Sequence, residues 1–287
     1  MNPPAPTHRC GVVALLGRPN AGKSTLLNAV LGEKISISAA RAQTTRSPLL
    51  GVLTLPEAQI LFRDTPGVNR GRARFNMALT ETALKTAEDA DLRVILLEAT
   101  SPWDTPEERL AQIPGPSLLV RTKCDLGEVG PVPDPDRFQG LLEVSASSGR
   151  GLGSFVERVC SLLPAGPALY PEDFLTDAPM RFLAAELIRE VVFDTYREEI
   201  PYAIAVEIES WQEAGGHLRL AANLLVERES QKGIVVGEGG RMLKRVGSQA
   251  REKIAQLAGQ RVHLDLWVKT DRNWSKRPKR ARQLGYL

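Results

Sequence analysis

The chain has 287 residues, of which 43% are hydrophobic and 25% are charged, a composition typical of globular domains. A single hydrophobic core seldom grows past about 250–300 residues, so this length favours two domains. The formal net charge is +3, yet residues 269–282 hold seven basic residues and one acidic residue, which leaves the rest slightly acidic. This basic end indicates either a polyanionic partner or a solvated surface.

The cysteines, the N-terminus and the apolar runs argue against several other classes of protein. The three cysteines, Cys10, Cys124 and Cys160, have no paired spacing and predict no disulfide framework. The first residues hold no basic region leading into an apolar run, and therefore do not resemble a secretory signal. The apolar runs have the length of strands and are too short to cross a bilayer. We therefore expect a cytoplasmic protein.

Short apolar runs alternate with helical patterns from residue 11 to about residue 163. The predicted buried strands are residues 12–16, 60–62, 94–97, 118–120 and 141–144. The predicted helices are residues 24–31, 77–87, 106–112 and 153–163. This alternation predicts a three-layer α/β fold with a mostly parallel sheet. Residues 49–55 and 59–63 flank a short turn and predict a hairpin that adds one antiparallel edge.

A phosphate-binding motif lies between the first predicted strand and the first predicted helix. The pattern G-x-x-x-x-G-K-[ST] is matched by Gly17, Arg18, Pro19, Asn20, Ala21, Gly22, Lys23 and Ser24. The backbone N–H groups of such a P-loop wrap phosphates, helped by the helix N-terminus. Lys23 would reach the β- and γ-phosphates, and the Ser24 hydroxyl would bind Mg²⁺.

A second motif follows about forty residues later and supplies the predicted switch residues. It consists of Asp64, Thr65, Pro66 and Gly67 at the end of a predicted strand. Asp64 would hold Mg²⁺ through its water shell, and the Gly67 N–H would sense the γ-phosphate. Thr44 or Thr45 should bind Mg²⁺ when GTP is present, and we favour Thr45. Val68 stands directly after Gly67, where small Ras-like GTPases carry the glutamine that orients the attacking water. Valine cannot orient water, so we expect slow hydrolysis and name no catalytic residue.

Two further segments predict that the base is guanine. Thr122, Lys123, Cys124 and Asp125 follow a strand where GTPases carry N-K-x-D. A buried Asp125 would accept hydrogen bonds from guanine N1–H and the 2-amino group and would reject adenine, while Lys123 would lay its stem on the base. Ser145, Ala146 and Ser147 are similar to the S-A-x element whose backbone N–H contacts guanine O6. We therefore expect GTP and GDP with Mg²⁺ as ligands.

Thr122 departs from this pattern because asparagine usually stands there. Threonine is shorter and has no amide, which puts the contact to the base and the contact to the P-loop in doubt. We expect weaker nucleotide binding with the guanine preference kept.

The second half of the chain has a different organisation. Four prolines, Pro164, Pro167, Pro171 and Pro179, predict a linker. The predicted domains are residues 1–165 and 181–287, with the linker at 166–180. Helical patterns cover residues 181–196 and 241–257, and alternating strands cover 204–208, 218–226 and 262–268. With a short helix before the glycines, the order is α-β-β-α-α-β, that of a type II KH domain.

A glycine-rich loop lies inside this second domain. The G-x-x-G pattern is formed by Gly237, Glu238, Gly239 and Gly240, and Arg241, Lys244 and Arg245 follow it. In KH domains this loop clamps single-stranded nucleotides. Alone it is also compatible with a flexible turn. Trp267 and Trp274 could stack on bases or could instead pack in the fold.

Taken together, these motifs resemble the Era family of GTPases over nearly the whole chain. The resemblance rests on the P-loop, on A-Q-T-T-R at 42–46, on D-T-P-G, on residues 171–177 and on the KH order. It implies a monomeric switch that binds small-subunit (16S) ribosomal RNA near its 3′ end and assists small ribosomal subunit assembly and RNA maturation. It also implies peripheral association with the inner face of the cell membrane in some bacteria. It further suggests that Asn20 holds a potassium ion, although a turn role fits equally.

Three functions remain open at this point. The first is a slow GTPase whose nucleotide state sets RNA affinity. The second is a nucleotide-gated RNA-binding module in which hydrolysis is incidental. The third is a membrane-associated signalling GTPase whose basic tail binds anionic lipid.

Overall fold

The computed structural model describes residues 8–37, 45–68, 74–127 and 130–286. Thr44 and the preceding residues of A-Q-T-T-R lie outside these ranges. The chain forms two compact units, of which one ends at Asp177 and the other begins at Ala178. This point falls within the predicted linker. None of the helices in the described ranges is long and apolar enough to cross a membrane.

The first unit contains the predicted α/β sheet. Its elements are β1 (Arg9–Gly17), α1 (Lys23–Leu31), β2 (Leu49–Leu55), β3 (Ala58–Asp64), α2 (Arg74–Glu88), β4 (Leu92–Glu98), α3 (Thr105–Ala111), β5 (Ser117–Thr122), β6 (Leu141–Glu143) and α4 (Leu152–Leu162). Over the described residues, six strands form one sheet in the order β2-β3-β1-β4-β5-β6. All neighbours are parallel except β2 and β3. Both the mostly parallel sheet and the antiparallel edge are confirmed.

The central strands are apolar on both faces because helices cover the sheet on both sides. Leu16, Ile95 and Leu119 are fully buried in one cluster with Ala83 and Ala87 of α2. In such sheets, ligands bind outside the carboxyl ends of the strands. The first, third and fifth strands end at Gly17, Asp64 and Thr122, so the predicted motifs meet at this edge.

Part of the predicted linker is hydrogen-bonded to the first unit. The buried Gln59 side chain accepts from the backbone N–H groups of Leu169 and Tyr170, at 2.8 and 2.9 Å, and donates to the Tyr170 carbonyl at 2.9 Å. The Val52 N–H donates to the Leu175 carbonyl at 2.8 Å. These contacts attach residues 169–175 to the β2–β3 hairpin.

The second unit has the predicted KH order with two additional short helices. Its elements are α5 (Met180–Thr195), α6 (Ile200–Ala203), β7 (Ala205–Ala214), β8 (His217–Val226), α7 (Glu229–Val236), α8 (Arg241–Ala258), β9 (Arg261–Thr270) and α9 (Pro278–Gln283). Among the residues described, the sheet has the order β7-β8-β9, with β8 antiparallel to β7 and parallel to β9. Residues of α5, α8 and the sheet form one buried core.

The basic C-terminal segment is folded onto this unit. Trp274 is fully buried, and its indole N–H donates to the Ala203 carbonyl at 3.0 Å. Of the two roles left open for Trp274, the structure shows packing in the fold, because its ring is enclosed. Asp271 pairs with Arg277 and, at 2.7 Å, with Arg280, so part of the positive charge is neutralised within the fold.

Candidate nucleotide site and nucleic-acid groove

The P-loop has a conformation that only glycine readily adopts at two positions. Gly17 has φ +147°, and a Cβ there would lie 2.4 Å from the Leu96 carbonyl oxygen. Gly22 has φ +87° and directly precedes α1. Both conformations strain residues that carry a side chain. The glycine spacing of the motif is therefore required by the backbone path itself.

Lys23 is buried at the base of this loop. Its ammonium donates to the carbonyls of Arg18 at 2.9 Å and Gly17 at 3.3 Å. Burial lowers the pKa of Lys23 to about 8, and the nearby Asp64 carboxylate partly offsets this effect. A buried cation held by carbonyl dipoles is a strong point of attraction for a phosphate group.

The three predicted magnesium ligands meet in the structure. The Ser24 hydroxyl donates to Asp64 Oδ2 at 2.6 Å, and the Thr45 hydroxyl donates to the same oxygen at 3.2 Å. The two hydroxyl oxygens lie 2.9 Å apart. Asp64 is fully buried, which raises its pKa, and its Oδ1 atom has no hydrogen-bond partner in the described part of the chain. Converging oxygen atoms of this kind fit the hard Mg²⁺ ion.

The D-T-P-G segment lies directly against the P-loop. A Cβ at position 67 would be 2.5 Å from the Pro19 backbone nitrogen, so only glycine fits this close approach. Thr65 donates from its hydroxyl to the Leu15 carbonyl at 2.6 Å, which fixes the segment that continues through Pro66. Val68 is buried in the core, and its N–H donates to the Gly17 carbonyl at 3.0 Å. Its side chain has no group that could orient water.

A cavity of about 230 Å³ opens beside the P-loop. It is lined by Gly22, Thr25, Leu26, Thr122, Lys123, Asp125, Leu126, Val144, Ala146 and Ser147. Sequence reasoning found the members that belong to the motifs but missed Thr25, Leu26, Leu126 and Val144. The apolar Leu126, directly after the T-K-C-D segment, was the available signal. The cavity brings the third and fourth motifs together.

The prediction of a buried Asp125 is wrong for the free protein. Asp125 is exposed and lies in the turn after β5. Hydrogen bonds from Ser145, and secondarily its own backbone and Ser147, hold the pKa of Asp125 below its ordinary value. The carboxylate therefore stays an acceptor at neutral pH.

The neighbouring residues of this segment hold the cavity wall in place. Lys123 has φ +57°, and its ammonium contacts Glu98 at 3.0 Å. Cys124 is buried, and its N–H donates to the Val144 carbonyl at 3.3 Å. The segment that carries Ser145, Ala146 and Ser147 is thus attached to the T-K-C-D segment through the backbone.

Thr122 reaches the P-loop despite its shorter side chain. Its buried hydroxyl donates to the Ala21 carbonyl at 2.8 Å. The contact that was in doubt at the sequence level is therefore present, made by a hydroxyl in place of an amide.

Replacing Thr122 with valine should weaken nucleotide binding, because valine keeps the shape but leaves the Ala21 carbonyl unpaired. We expect a roughly five- to tenfold loss of affinity in a titration with fluorescent GDP. Thr122→Ser keeps the donor and should bind within about twofold of the unaltered protein. Equal affinities for the valine and threonine forms would show that this contact contributes nothing.

Arg18 attaches the P-loop to α3, a feature that the motif alone does not reveal. Its guanidinium contacts Glu107 at 2.6 Å and the Pro102 carbonyl at 3.2 Å. The Glu107 side chain is fully buried. This pair joins the P-loop to α3, and removing Arg18 would leave the buried Glu107 carboxylate without its partner.

The glycine-rich loop of the second unit borders a groove. Gly237, Gly239 and Gly240 have φ values of +71°, +59° and +78°. A Cβ on Gly237 would lie 2.5 Å from Met242 Cγ, whereas the positions around Gly239 and Gly240 are open. Exposed backbone in this conformation can approach a phosphate closely. This geometry suits the predicted clamp.

The groove has a volume of about 350 Å³ and lies between α8 and β9. It is lined by Gly240, Leu243, Lys244, Gly247, Ser248, Arg251, Leu264 and Leu266. Lys244 is thus in place, and Arg251 is a cation that the sequence analysis missed. Arg245 instead lines a separate cavity on the α5 side of α8 and does not border this groove. Consecutive residues of an α-helix point about 100° apart, so Lys244 and Arg245 face different sides of α8.

Two other predicted contacts are changed by the structure. Arg241 forms an ion pair with Glu238 of the glycine-rich loop. The Glu238 carboxylate therefore competes with RNA phosphates for the Arg241 guanidinium. Leu264 and Leu266 face the groove, and side chains alternate along a strand, so Trp267 lies on the opposite face of the sheet. Trp267 is 46% exposed there and does not line the groove.

Two family descriptions match the chain. Residues 12–123 match "50S ribosome-binding GTPase" and residues 199–275 match "KH domain". With the fold and the site, these matches define a P-loop GTPase joined to a KH domain.

Relatives match over the full length. The chain is 44% identical to GTPase Era of Geobacter metallireducens, covering 97% of this chain and 98% of the relative. GTPase Era of Lacticaseibacillus paracasei is 39% identical, with 97% of each chain covered. The chain belongs to the Era family of GTPases and hydrolyses GTP.

Two solved Era structures have the same fold. One is Era in complex with MgGDPNP and nucleotides 1506–1542 of 16S ribosomal RNA, with a TM-score of 0.91, 35% identity, and 98% of this chain and 99% of that chain covered. The other is a variant of Aquifex aeolicus Era bound to GDP.AlF4⁻, with a TM-score of 0.92, 36% identity, and coverage of 97% and 99%.

Proposed function

We propose that this chain is a GTP-hydrolysing switch that binds small-subunit ribosomal RNA near its 3′ end and assists assembly of the small ribosomal subunit. One observation carries the proposal: the chain matches, over 98% of its length, an Era structure that holds both MgGDPNP and nucleotides 1506–1542 of 16S ribosomal RNA. The P-loop site and the α8–β9 groove provide a residue basis for each ligand.

GTP and GDP with Mg²⁺ are the ligands of the first unit in this proposal. Lys23 contacts the β- and γ-phosphates, while Ser24, Thr45 and Asp64 hold the ion, directly or through water. The bound ion would neutralise charge on the phosphates during hydrolysis. Because Val68 cannot position water, the attacking water needs another group, and the intrinsic rate is slow.

Turnover measured with and without small ribosomal subunits tests this proposal. A GTPase switch should hydrolyse GTP in both cases, and the subunit should change the rate. Hydrolysis that the subunit leaves unchanged, together with RNA affinity that depends on bound nucleotide, would favour the RNA-binding module with incidental hydrolysis.

Gly239→Asp should remove most of the RNA affinity. The position is open and has a φ that aspartate tolerates, so the domain should stay folded while a second carboxylate joins Glu238 beside the bound phosphates. We expect at least a roughly tenfold loss in filter binding to a single-stranded oligonucleotide of the 16S RNA 3′ end. GTP affinity should not change.

Lys244→Ala and Arg245→Ala form a matched pair of controls for this measurement. Only Lys244 lines the groove, so its removal should lower affinity and reduce the salt dependence by about one counterion. Arg245→Ala should have the smaller effect. If Gly239→Asp binds the oligonucleotide as well as the unaltered protein, the loop is only a turn.

We also propose that Asn20 holds a potassium ion against the phosphates. The place of Asn20 within G-R-P-N-x-G-K-S supports this role, while its φ of +68° is that of a turn residue. Hydrolysis should be faster in potassium chloride than in sodium chloride, and Asn20→Ala should abolish this difference. Equal rates of the unaltered protein in the two salts would exclude the ion site.

Binding of the C-terminal segment to anionic lipid is a second proposal. Exposed Lys276, Lys279 and Arg282 on and beside α9 support it. Co-sedimentation with phosphatidylserine vesicles should fall as salt is raised, and no sedimentation at low salt would exclude it.

A further inference from the structure

A serine outside the recognised motifs also contacts the magnesium-binding carboxylate. Ser36 lies between α1 and β2 and is 5% exposed. Its hydroxyl donates to Asp64 Oδ2 at 2.8 Å. The same oxygen accepts from Ser24 and Thr45, so three hydroxyl groups converge on it. None of the four sequence motifs includes Ser36.

The backbone around Ser36 is fixed by the side chain of Asn28. Asn28 Oδ1 accepts from the Ile35 N–H at 3.1 Å and the Ser36 N–H at 3.0 Å. Asn28 Nδ2 donates to the Ser36 carbonyl at 2.7 Å. Asn28 belongs to α1, the helix that begins with Lys23 and Ser24. Ser36 is therefore held rigidly to the element that carries the phosphate and metal ligands.

This arrangement determines how the carboxylate is oriented. Asp64 is fully buried, and burial disfavours a charged carboxylate unless donors compensate it. Ser36 supplies one such donor from a fixed position, and Asp64 Oδ1 is left without a hydrogen-bond partner among the described residues. Hydrogen-bond partners that orient metal-binding groups typically tune metal affinity.

We propose that Ser36, held by Asn28, is a positioning residue that orients Asp64 for Mg²⁺ in the GDP-bound and the GTP-bound protein alike. This inference rests on the proposed binding of guanine nucleotide with Mg²⁺. The hydrogen bonds that join Ser36 to Asp64 and Asn28 do not include a γ-phosphate oxygen. The effect on Mg²⁺ is therefore the same for both nucleotides.

Magnesium titrations of nucleotide binding test this role. Fluorescent GDP and a non-hydrolysable fluorescent GTP analogue are bound to the full-length protein, first in EDTA and then with increasing Mg²⁺. Ser36→Ala should raise the half-saturating Mg²⁺ concentration roughly three- to tenfold with both nucleotides. Affinity in EDTA should stay within about twofold of the unaltered protein, because the phosphate and base contacts are intact.

Three further variants separate positioning from general structure. Ser36→Thr restores the hydroxyl and should return the half-saturating concentration toward that of the unaltered protein. Asn28→Ala releases the backbone of Ser36 and should reproduce the Ser36→Ala effect. Ser117→Ala is the matched control, since Ser117 is also buried in this unit but lies at the start of β5, away from the site.

The outcomes distinguish this inference from the proposed function. An unaltered protein that binds neither nucleotide would overturn the proposed function. If the unaltered protein binds both with a clear magnesium dependence and Ser36→Ala has the same dependence, the positioning role is wrong. A loss of affinity that is equal in EDTA and in Mg²⁺ would also overturn it, because that loss would report general damage to the fold.

Discussion

Replacing Lys23 with alanine is expected to lower the affinity for GTP and GDP by at least about a hundredfold. The ammonium is buried beneath the P-loop, and removing one partner of a buried charge pair is costly. The fold should survive, because burial already disfavours the charged lysine, as its pKa of about 8 indicates. Equilibrium binding of fluorescent GDP measures the loss, and Lys85→Ala, at an exposed position of α2, is the control.

The pH dependence of nucleotide binding tests whether the charge of the Lys23 ammonium is responsible for the affinity. Phosphate binding requires the charged ammonium, and a pKa of about 8 in the free protein means that this form becomes scarce above pH 8. Affinity of the unaltered protein should therefore fall roughly fourfold between pH 7 and pH 8.5. The remaining affinity of Lys23→Ala should lack this decline. An equally steep decline in the variant would assign the titration to another group.

Asp125→Asn should change the base preference of the site. The carboxylate accepts two hydrogen bonds from guanine, whereas an amide presents a donor to the position of the 2-amino group. We expect GTP affinity to fall on the order of a hundredfold while xanthosine triphosphate, which has an oxygen there, binds more tightly. Competition against fluorescent GDP measures both effects.

The control for this exchange is Asp136→Asn, which makes the same chemical change at an exposed position beyond β5. It should leave the preference for GTP intact. If Asp125→Asn and the unaltered protein rank GTP, ATP and xanthosine triphosphate in the same order, Asp125 does not read the base.

Sequence reasoning predicted those features that glycine spacing and apolar periodicity determine. Gly17, Gly22 and Gly67 mark places where the backbone allows no side chain, so their spacing carries the geometry of the phosphate site. Alternating residues in β8 and β9 likewise predicted the KH sheet, because one face of that sheet is buried. These are local constraints that a single sequence can show.

Other features depend on contacts between distant residues and could not be predicted in this way. Trp274 lies within a basic stretch, and only its position against the Ala203 carbonyl shows that it packs inside. The Thr122 hydroxyl reaches Ala21, 101 positions earlier, through the packing of β5 against the P-loop. Ser36 likewise meets Asp64, 28 positions later, while the Asn28 side chain holds the Ser36 backbone.

The directions of Lys244 and Arg245 could have been predicted more fully. Val246, Ala250 and Ile254 form the buried stripe of α8, so the helical period already places residues 244 and 245 on different sides of it. Only the structure, however, shows which side borders the glycine-rich loop. Basic character alone therefore does not show which of the two residues borders the groove.

We expect bound nucleotide to control the affinity of the protein for ribosomal RNA. The most direct measurement is filter binding of the 16S RNA 3′-end oligonucleotide to the full-length protein saturated with MgGDPNP or with MgGDP, against a scrambled oligonucleotide. We predict sequence-dependent binding whose affinity differs at least about fivefold between the two nucleotides. Identical affinities in both nucleotide states, or equal binding of the scrambled oligonucleotide, would contradict the claim.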